Sequence, residues 1–524
     1  MVTETYTVAF RGIEAIPVTV QVQVSSALAS FQIVGLADKA ISEARERVRA
    51  ALNACGITLP AKRILVSLGP ADLPKEGGHY DLPIALGLLA ALDHIPAFAV
   101  QNILSLGELS LDGKIRSVPG ILPAAVTAGD MKKQFICAPD KLSEALWAAQ
   151  TQIIVPQDLF EAMNHYQNKN RLEIHSLEPE HLEKLQDGEE SQKSAAKFDL
   201  SEVRGQETAK HALEITAAGG HNLLMSGPPG AGKSMLASCL PDILPPLSLK
   251  EKLEVSLVAS ICGQLGENGI INKRPYRNPH HSASMAALVG GGRRAMPGEI
   301  SLAHSGILFL DELPEFRSDV LDSLRQPLET GESVIARAEH RVTYPAVFQL
   351  VAAMNPCKCG YMTETNKACN RAPQCGKDYT NRVSGPLLDR FDLRVELASV
   401  AISDLALPPR GETSNDIKKR TITLRDMQAK RAEKYTDMSG VSPVNARIGG
   451  QFLDEITKMT QQTRDFFTRA AEKLSISARG YHRLLRTART IQDIDDLKND
   501  IDIANETTLL SQAALAGALS FRML

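Results

Sequence analysis

A glycine-rich run of eight residues, G-P-P-G-A-G-K-S at positions 227–234, constrains the fold of this chain more than any other segment. It fits the pattern G-x-x-x-x-G-K-[ST], in which backbone N–H groups close around phosphates at the N-terminus of a helix. Such a loop joins a strand to a helix, and the patterns of segment 222–225 and of the segment from Lys233 match these two elements. The run therefore predicts an α/β fold that binds a nucleoside triphosphate.

The residues of this loop have distinct expected roles. Lys233 is expected to reach the β- and γ-phosphates, and the Ser234 hydroxyl is expected to ligate Mg²⁺. The nucleotide-binding residues predicted from the loop are Gly227, Pro228, Pro229, Gly230, Ala231, Gly232, Lys233 and Ser234.

A second motif, I-L-F-L-D-E at positions 307–312, has the pattern of a buried strand that ends in two carboxylates. Asp311 is placed to hold the Mg²⁺ shell, and Glu312 to orient and deprotonate the attacking water. The two motifs in this order predict an enzyme that hydrolyses a nucleoside triphosphate.

Composition limits both location and partners. The net charge of -3 and a pI near 6.5 argue against a surface coated for nucleic acid, so any such binding must be local, on loops or in a pore. The first residues lack the pattern of a signal peptide, and the longest apolar run, 82–92, is too short to span a bilayer. We therefore expect a cytoplasmic protein without membrane contact, whose eight cysteines are reduced thiols or metal ligands.

Changes in composition divide the chain into four segments. Residues 1–172 alternate strand-like and helix-like patterns. Residues 173–197 include a stretch rich in Glu, Gln, Lys and Ser with almost no apolar periodicity and are predicted to form a linker. The nucleotide motifs lie within 198–405, and a helix-rich tail occupies 406–524.

Further polar residues complete a candidate catalytic centre. Asn355 ends an apolar strand, where its side chain can hold the attacking water or the γ-phosphate. Arg390 lies where an arginine could enter a neighbour's site and stabilise transition-state charge, and Arg479, which opens a helix in the tail, could sense the same phosphates. A surface ion pair is the ordinary role of any one such residue, but their order along the chain favours function. The residues expected to wrap the adenine are Val203, Gly205 and Gln206.

Six longer strings identify a family. They are F-Q-I-V-G-L-A-D-K-A-I from Phe31, G-H-Y-D-L-P-I-A from Gly78, N-P-H-H-S-A-S from Asn278, G-E-I-S-L-A-H-S-G-I-L-F-L-D-E from Gly298, L-R-Q-P-L-E from Leu324 and S-G-P-L-L-D-R-F-D from Ser384. Together with the motif order, they resemble the AAA+ ATPases of the branch that contains the magnesium chelatases and the MCM helicases. Over essentially its whole length the chain is similar to the ComM-like (YifB) group of magnesium-chelatase-like proteins.

This resemblance implies a P-loop AAA+ domain with an α-helical lid, and ATP and Mg²⁺ as substrate and cofactor. It makes Arg390 the arginine finger and Asn355 and Arg479 the two sensors. It also implies a homo-hexameric ring in which neighbouring subunits share each site, although it leaves open whether Arg479 acts on its own subunit's ATP or a neighbour's.

The function implied by the resemblance is that of an ATP-driven DNA helicase or translocase. Such a protein would promote branch migration during recombination of incoming DNA in natural transformation, with single-stranded and branched DNA and recombination proteins as partners. The alternative is a magnesium-chelatase-type motor subunit that acts on a protein or metal-insertion partner. A third class is an ATP-dependent protease or chaperone, which the sequence of the N-terminal segment disfavours.

Segment 333–345 is predicted to form a β-hairpin with a polar tip at 337–341, because apolar residues alternate on both sides of that tip. It resembles the hairpin, placed before sensor 1, that MCM-type motors insert into their central channel. Basic side chains there and on two other loops could follow DNA phosphates without reading sequence. The candidate DNA contacts are Arg337, His340, Arg341, Arg274, Arg277, Arg293 and Arg294, and Tyr276 could stack on a base.

Four of the eight cysteines are clustered between Asn355 and Arg390. They are Cys357, Cys359, Cys369 and Cys375. Clustered reduced thiols suit a tetrahedral structural Zn²⁺ site, although the C-x-C spacing is less usual than C-x-x-C. Free thiols are the alternative.

Two strings in the first segment resemble the proteolytic domain of Lon-type proteases, whose fold is shared with domain 2 of ribosomal protein S5. They are P-K-E-G-G-H-Y-D from Pro74 and L-G-E-L-S-L-D-G-K-I-R-S-V-P-G from Leu106. His79 stands where this resemblance places the serine nucleophile, and Leu122 where it places the lysine base. The expected domain at 1–172 therefore lacks the catalytic dyad and serves as a scaffold, and the chain is not expected to be a protease.

Overall fold

The computed structural model describes residues 2–35, 38–177, 198–336, 341–362, 370–399, 411–434, 444–504 and 507–522. Most of the predicted linker lies outside these ranges, as do Arg337 and His340 of the hairpin and Cys369 of the cysteine cluster. In the part of the chain that is described, every helix is too short or too polar to cross a membrane.

The N-terminal segment forms an α/β domain around one seven-stranded sheet, in the order β3-β4-β2-β1-β5-β8-β9. Its strands are β1 (Val2–Arg11), β2 (Glu14–Ser25), β3 (Ser30–Val34), β4 (Arg63–Gly69), β5 (Ile103–Ser105), β6 (Glu108–Leu109), β7 (Ile115–Arg116), β8 (Gln134–Ile136) and β9 (Ile153–Ile154). Its helices are α1 (Lys39–Ala54), α2 (Asp81–Ala91), α3 (Ala97–Val100), α4 (Ile121–Asp130), α5 (Leu142–Ala145) and α6 (Leu159–Tyr166), with 3-10 turns at Gly78–Tyr80 and Pro139–Lys141. The apolar run 82–92 has no polar face because α2 is buried along almost its whole length. The α/β prediction for this segment is confirmed, and its Lon-like character stays a prediction.

The two positions that lack the Lon-type nucleophile and base are both buried. His79 forms a hydrogen bond between its Nε2 and the carbonyl oxygen of Val8 at 3.0 Å. Burial lowers the pKa of His79 to about 4, so its ring is neutral near pH 7. The backbone N–H of Leu122 donates to a side-chain oxygen of Glu144 at 3.2 Å. His79 thus has a structural role inside the domain.

The central segment contains a five-stranded parallel sheet in the order β11-β14-β17-β10-β18. Its strands are β10 (Leu223–Ser226), β11 (Tyr276–Arg277), β12 (Gly290–Gly291), β13 (Met296–Pro297), β14 (Ile307–Leu310), β15 (Glu332–Ala336), β16 (Arg341–Pro345), β17 (Gln349–Met354) and β18 (Leu393–Glu396). Its helices are α7 (Glu207–Gly219), α8 (Lys233–Ile243), α9 (Leu249–Ile261), α10 (Met285–Val289), α11 (Glu299–Leu302), α12 (Ser318–Asp322), α13 (Arg325–Thr330), α14 (Gln374–Thr380) and α15 (Gly385–Leu388), with 3-10 turns at Leu200–Glu202 and Leu313–Glu315. Since all five strands are parallel, the residues that follow β10, β14 and β17 meet at one edge of the sheet.

In the described part of the C-terminal segment, all regular elements are helices, as expected for a helix-rich tail. Its helices are α16 (Ser414–Glu433), α17 (Gly450–Ile456), α18 (Gln461–Lys473), α19 (Ala478–Lys498) and α20 (Gln512–Ser520), with a 3-10 turn at Asn445–Arg447. Its interior contains Asp493, which accepts hydrogen bonds from Arg431 at 2.8 and 2.9 Å and from Arg489 at 2.7 Å. The buried carboxylate is thereby neutralised and its oxygens are satisfied.

Helix α19 also attaches this segment to the parallel sheet. The ring of His221 lies 2.8 Å from the hydroxyl of Thr490, and both residues are buried. Arg483 donates to the side chain of Asp392 at 2.7 Å and to the carbonyl oxygen of Arg390 at 2.9 Å. The backbone beside the predicted arginine finger is therefore fixed by the C-terminal helices.

The N-terminal domain contacts the central segment through helix α9. The hydroxyl of Ser260 donates to the buried carboxylate of Glu144 at 2.6 Å, and the N–H of Gly120 donates to the carbonyl oxygen of Ser260 at 2.9 Å. This hydrogen-bonded contact is formed by residues far apart in the sequence.

Candidate active site

The glycine-rich run forms the expected loop between β10 and α8. Gly230 and Gly232 have φ angles of 79° and 89°, which favour glycine, and Gly232 is the residue from which α8 begins. A Cβ atom at Gly227 would lie 2.7 Å from the carbonyl oxygen of Leu397. The glycines are thus required by the backbone conformation and by the close approach of the chain beyond β18.

Lys233 lies buried inside this loop. Its Nζ donates to the carbonyl oxygens of Gly227 at 2.7 Å and Pro228 at 2.9 Å, and to the side-chain oxygen of Asn355 at 3.1 Å. Burial lowers the pKa of the Lys233 ammonium, and the charge of Asp311 opposes that shift. The structure therefore brings together the loop lysine and the predicted sensor Asn355.

Ser234, the residue after Lys233, forms a hydrogen bond with Asp311. The Ser234 hydroxyl donates to Oδ2 of Asp311 at 2.7 Å, while Oδ1 of Asp311 accepts the backbone N–H of Glu312 at 2.9 Å. A hydroxyl and a carboxylate oxygen are ligands that Mg²⁺ prefers, so this donor set fits the expected ion.

Glu312 projects from a strained position directly after Asp311. Its backbone has φ 52° and ψ 46°, the left-handed region, which costs a non-glycine residue roughly 1–2 kcal/mol. Its side chain is 52% exposed, and its Oε2 lies 3.1 Å from Nδ1 of His281. This orientation leaves the carboxylate accessible to a water molecule, as a general base requires.

His281 is a site residue that the reasoning from single residues missed. It lies in the N-P-H-H-S-A-S string that carried the family resemblance, beyond strand β11. Its neighbour His280 pairs instead with the hydroxyl of Ser282 at 2.8 Å. The doubled histidine was the available signal, but the sequence does not show which ring faces Glu312.

The residues expected around the adenine lie beside the loop. Val203 is buried, and Gly205 has a φ angle of 61°. The side-chain amide of Gln206 donates to the carbonyl oxygens of Ala398 at 2.7 Å and Ala231 at 3.4 Å. Gln206 thereby connects the loop with the chain that leaves β18, and its contact with adenine stays a prediction.

The predicted arginine finger Arg390 and the predicted sensor Arg479 both contact Glu329. Arg390 is buried and donates to the carbonyl oxygens of Arg325 at 3.3 Å and Pro386 at 2.6 Å and to the carboxylate of Glu329. Arg479 is 73% exposed, and its Nη1 lies 3.7 Å from the same carboxylate. Among the contacts described for these arginines, none is with the glycine-rich loop of the same chain.

Two of the predicted DNA contacts form ion pairs within the chain itself. Both guanidinium Nη atoms of Arg274 contact Glu251, at 3.0 and 3.1 Å, and Arg277 binds Glu299 through two contacts of 2.6 and 2.8 Å. Tyr276 packs against Phe309 in the core, with ring centroids 6.0 Å apart, so it does not suit stacking on a base. These contacts share one feature, since the partners are distant in sequence and the local basic pattern does not reveal them, and DNA contact by Arg274 and Arg277 stays a prediction.

The remaining candidates for DNA contact lie at the surface. The β15–β16 hairpin is confirmed, with Arg341 exposed at the start of β16, while Arg337 and His340 lie outside the described residues. Arg293 and Arg294 are 80% and 61% exposed and lie 3.9 and 3.6 Å from Glu76 of the N-terminal domain.

The cysteine cluster is described only in part. Cys357 and Cys359 have sulfur atoms 3.0 Å apart, and Cys375 is half-buried. The described ranges, which exclude Cys369, contain no group of three or more His, Cys, Asp or Glu side chains suited to a metal ion. The zinc site therefore stays a prediction without structural support.

Comparison with known proteins gives a match in each of the three described segments. Residues 199–405 match the family model "Magnesium chelatase, subunit ChlI", residues 20–141 match "Subunit ChlI of Mg-chelatase", and residues 411–522 match "Magnesium chelatase, subunit ChlI C-terminal".

Three relatives differ in their sequence identity to this chain and in the share of it that they cover. The competence protein ComM of Haemophilus influenzae is 42% identical over 490 residues, covering 93% of both chains. The uncharacterized protein YifB of Escherichia coli is 40% identical over 519 residues, covering 99% of this chain and 96% of its own. The magnesium-chelatase 38 kDa subunit of Rhodobacter capsulatus is 26% identical over 335 residues, covering 60% of this chain and 85% of its own.

Proposed function

The chain belongs to the ComM-like group of magnesium-chelatase-like proteins, and on this premise we propose that it is an ATP-driven DNA helicase or translocase. The observation that carries the proposal is the pair of contacts Lys233–Asn355 and Ser234–Asp311 at one edge of the parallel sheet. These contacts join the phosphate-binding loop, the acidic pair and the sensor in one arrangement that suits triphosphate hydrolysis.

Each side chain has a role that follows from its position. Lys233 points its ammonium into the loop, where phosphate oxygens would replace the carbonyl oxygens of Gly227 and Pro228 as its acceptors. Ser234 and Asp311 would hold Mg²⁺, which supplies charge neutralisation at the phosphates when bound. Glu312 would take the proton of the attacking water, and Asn355 would orient that water or the terminal phosphate.

The subunit arrangement proposed is a homo-hexameric ring. Arg390 and Arg479 lie together at Glu329, and their described contacts do not include the loop of their own subunit. An arginine that stabilises charge on a transferring phosphoryl group can be supplied by a neighbouring molecule. This supports a site whose loop belongs to one subunit and whose arginine finger belongs to the next.

The hairpin supports DNA as the substrate that is moved. Strand β16 ends at Pro345, and β17 begins shortly afterwards and leads to Asn355. A displacement of the hairpin is therefore passed along a short, continuous segment to the sensor. Arg341 is exposed at the hairpin and would bind phosphates without reading sequence.

The biological role proposed is branch migration during recombination of incoming DNA in natural transformation. It is supported by the relative named competence protein ComM, which covers 93% of both chains. Recombination proteins and single-stranded or branched DNA would then be partners, in the cytoplasm.

A four-way junction with labelled strands tests the helicase activity. The wild-type chain with ATP and Mg²⁺ is expected to separate the junction, and Glu312→Gln is expected to bind ATP without separating it. The absence of strand separation by wild type would exclude the helicase activity.

A magnesium-chelatase-type motor is the second candidate, because all three matching family models carry the name of a magnesium-chelatase subunit. The two candidates differ in what stimulates ATP hydrolysis. Stimulation by single-stranded or branched DNA favours the translocase, whereas a rate that DNA leaves unchanged favours the chelatase-type motor.

A further inference from the structure

One carboxylate connects three elements that are distant in the sequence. Glu329 lies in the last turn of α13, is 48% exposed, and accepts a hydrogen bond from Arg390 in the segment that follows α15. Its Oε1 also lies 3.7 Å from Arg479, in the first turn of α19. The predicted finger and the predicted second sensor therefore share this one anion inside their own subunit.

The surroundings of Glu329 carry excess positive charge. Burial is the main cause that lowers the pKa of Arg390, and the positive charges of Arg325, Arg483 and Arg479 lower it further, whereas Glu329 opposes them. Arg483 is paired with Asp392 at 2.7 Å, and the guanidinium of Arg325 lies 3.9 Å from Asp322. Glu329 is thus left to balance both Arg390 and Arg479, and a phosphate group could replace it as their acceptor.

Glu329 is also close along the chain to the hairpin. Only Thr330 and Gly331 separate it from strand β15, and Gly331 has a φ angle of 72°. The N–H of Gly331 donates to Pro327 at 2.8 Å, and its carbonyl oxygen accepts the N–H of Ala346 at 2.7 Å. Helix α13 and both ends of the hairpin therefore meet at Gly331, two residues from Glu329, which gives a shift of the hairpin a short path to that carboxylate.

We propose that Glu329 is a positioning residue that retains Arg390 and Arg479 within their own subunit and releases them to a neighbouring subunit's triphosphate when DNA displaces the hairpin. This inference rests on the proposed function and adds a residue that couples DNA contact to hydrolysis. Glu329 acts through the two arginines and does not itself contact the nucleotide.

The test compares the steady-state ATPase of wild type with that of Glu329→Gln, with and without saturating single-stranded DNA. Loss of a half-exposed carboxylate is expected to raise the DNA-free turnover number about three- to tenfold, because the arginines are no longer retained. The DNA-stimulated turnover number is expected to stay within about twofold of wild type, because DNA already releases them. The ratio of the two rates should therefore fall.

Glu332→Gln provides the matched control, because it removes an equivalent carboxylate from an exposed position three residues along the chain. Its two rates are expected to match those of wild type. Thermal unfolding of both variants separates this effect from misfolding, because a structural lesion would lower both rates and the melting temperature together.

Two results overturn the inference in distinguishable ways. A wild type that DNA stimulates, combined with a Glu329→Gln variant whose stimulation ratio is unchanged or whose two rates fall together, would exclude Glu329 as the coupling residue only. A wild type that hydrolyses no ATP, or that DNA does not stimulate, would remove the proposed function and this inference together.

Discussion

The Nζ atom of Lys233 lies 3.1 Å from Oδ1 of Asn355, which joins the phosphate-binding loop to the end of strand β17 across 122 residues of sequence. This contact holds the glycine-rich loop and the predicted sensor Asn355 side by side. The hydrogen bonds that Lys233 gives to Gly227 and Pro228 hold the ammonium inside the loop at the same time. The loop is therefore preorganised for a ligand that offers several negatively charged oxygens.

Mixing two inactive variants is expected to restore hydrolysis if the site is shared between subunits. Lys233→Ala removes the loop cation and Arg390→Ala removes the finger, so each variant alone should lose ATPase activity by about a hundredfold or more. In a mixed ring, a loop from the Arg390→Ala subunit can meet a finger from the Lys233→Ala subunit. An equal mixture should recover up to about a quarter of the wild-type rate, since about one interface in four is then intact. A mixture as inactive as its components would show that each subunit supplies its own arginine.

His281→Ala is expected to lower kcat about three- to tenfold while leaving the KM for ATP within about twofold. The reason is that His281 contacts Glu312, the proposed base, at 3.1 Å, and an unrestrained carboxylate would orient water less well. His280→Ala is the control, because its Nδ1 pairs with Ser282. Equal effects of the two substitutions on kcat would contradict a specific role for His281.

Arg337→Ala combined with Arg341→Ala is expected to spare the DNA-free ATPase rate and to abolish its stimulation by DNA. Arg341 is exposed on the hairpin, where loss of its charge removes a phosphate contact without disturbing the core. The measurement is ATPase rate against DNA concentration at two salt concentrations. Unchanged stimulation would exclude the hairpin as the DNA contact.

Arg274→Ala, unlike the hairpin variant, is expected to lower the stability of the fold and to leave the stimulation of ATPase by DNA in place. It leaves the half-buried Glu251 without its two hydrogen bonds from the guanidinium, at a cost of about 1–3 kcal/mol in the free energy of unfolding. Chemical denaturation measures this loss, and DNA stimulation should persist. Arg317→Ala serves as its control, because this arginine is 78% exposed and its partner Asp319 is also exposed. If Arg274→Ala retained stability and lost DNA stimulation, a structural role for Arg274 through Glu251 would be wrong.

The stability of the N-terminal domain is expected to fall with acidification through His79. Burial lowers its folded pKa from 6.5 to about 4, so below pH 6.5 the unfolded chain binds a proton that the folded chain excludes. The contribution of His79 is therefore complete above pH 6.5 and is lost as the pH falls towards 4, by about 3 kcal/mol in all. Urea denaturation of wild type and His79→Gln between pH 7 and 5 measures it. Parallel pH profiles for the two proteins would refute this origin.

The parts of the fold and site that the sequence predicts are those specified by a short local pattern. The loop 227–234, the strand that leads to Asp311, the hairpin and the helix that begins at Ala478 are all of this kind, and the structure contains each of them. Their residue types and spacing determine the local backbone, independently of distant segments.

The unpredicted features depend on pairs of distant residues. From the sequence, Arg277 has the pattern of a basic loop residue, and only the structure shows its pairing with Glu299. Glu329 has the pattern of an ordinary acidic residue on a helix, and only the structure shows that Arg390 and Arg479 contact it. Tyr276 likewise becomes a core residue only when its strand pairs with β14. Such partners are determined by how the sheet and the C-terminal helices pack, which the local spacing of residues does not encode.

The contact between Ser260 and Glu144 determines where a fluorescent label could report the orientation of the central segment. Because Gly120, Leu122 and Glu144 all bond to this one serine of helix α9, the N-terminal domain is attached to the ATPase core by a buried polar contact. A fluorophore placed on its exposed surface would therefore report the orientation of the core itself. If the chain forms the proposed ring, distances between such fluorophores on neighbouring subunits would follow the movement of the cores without a label near the nucleotide-binding loop.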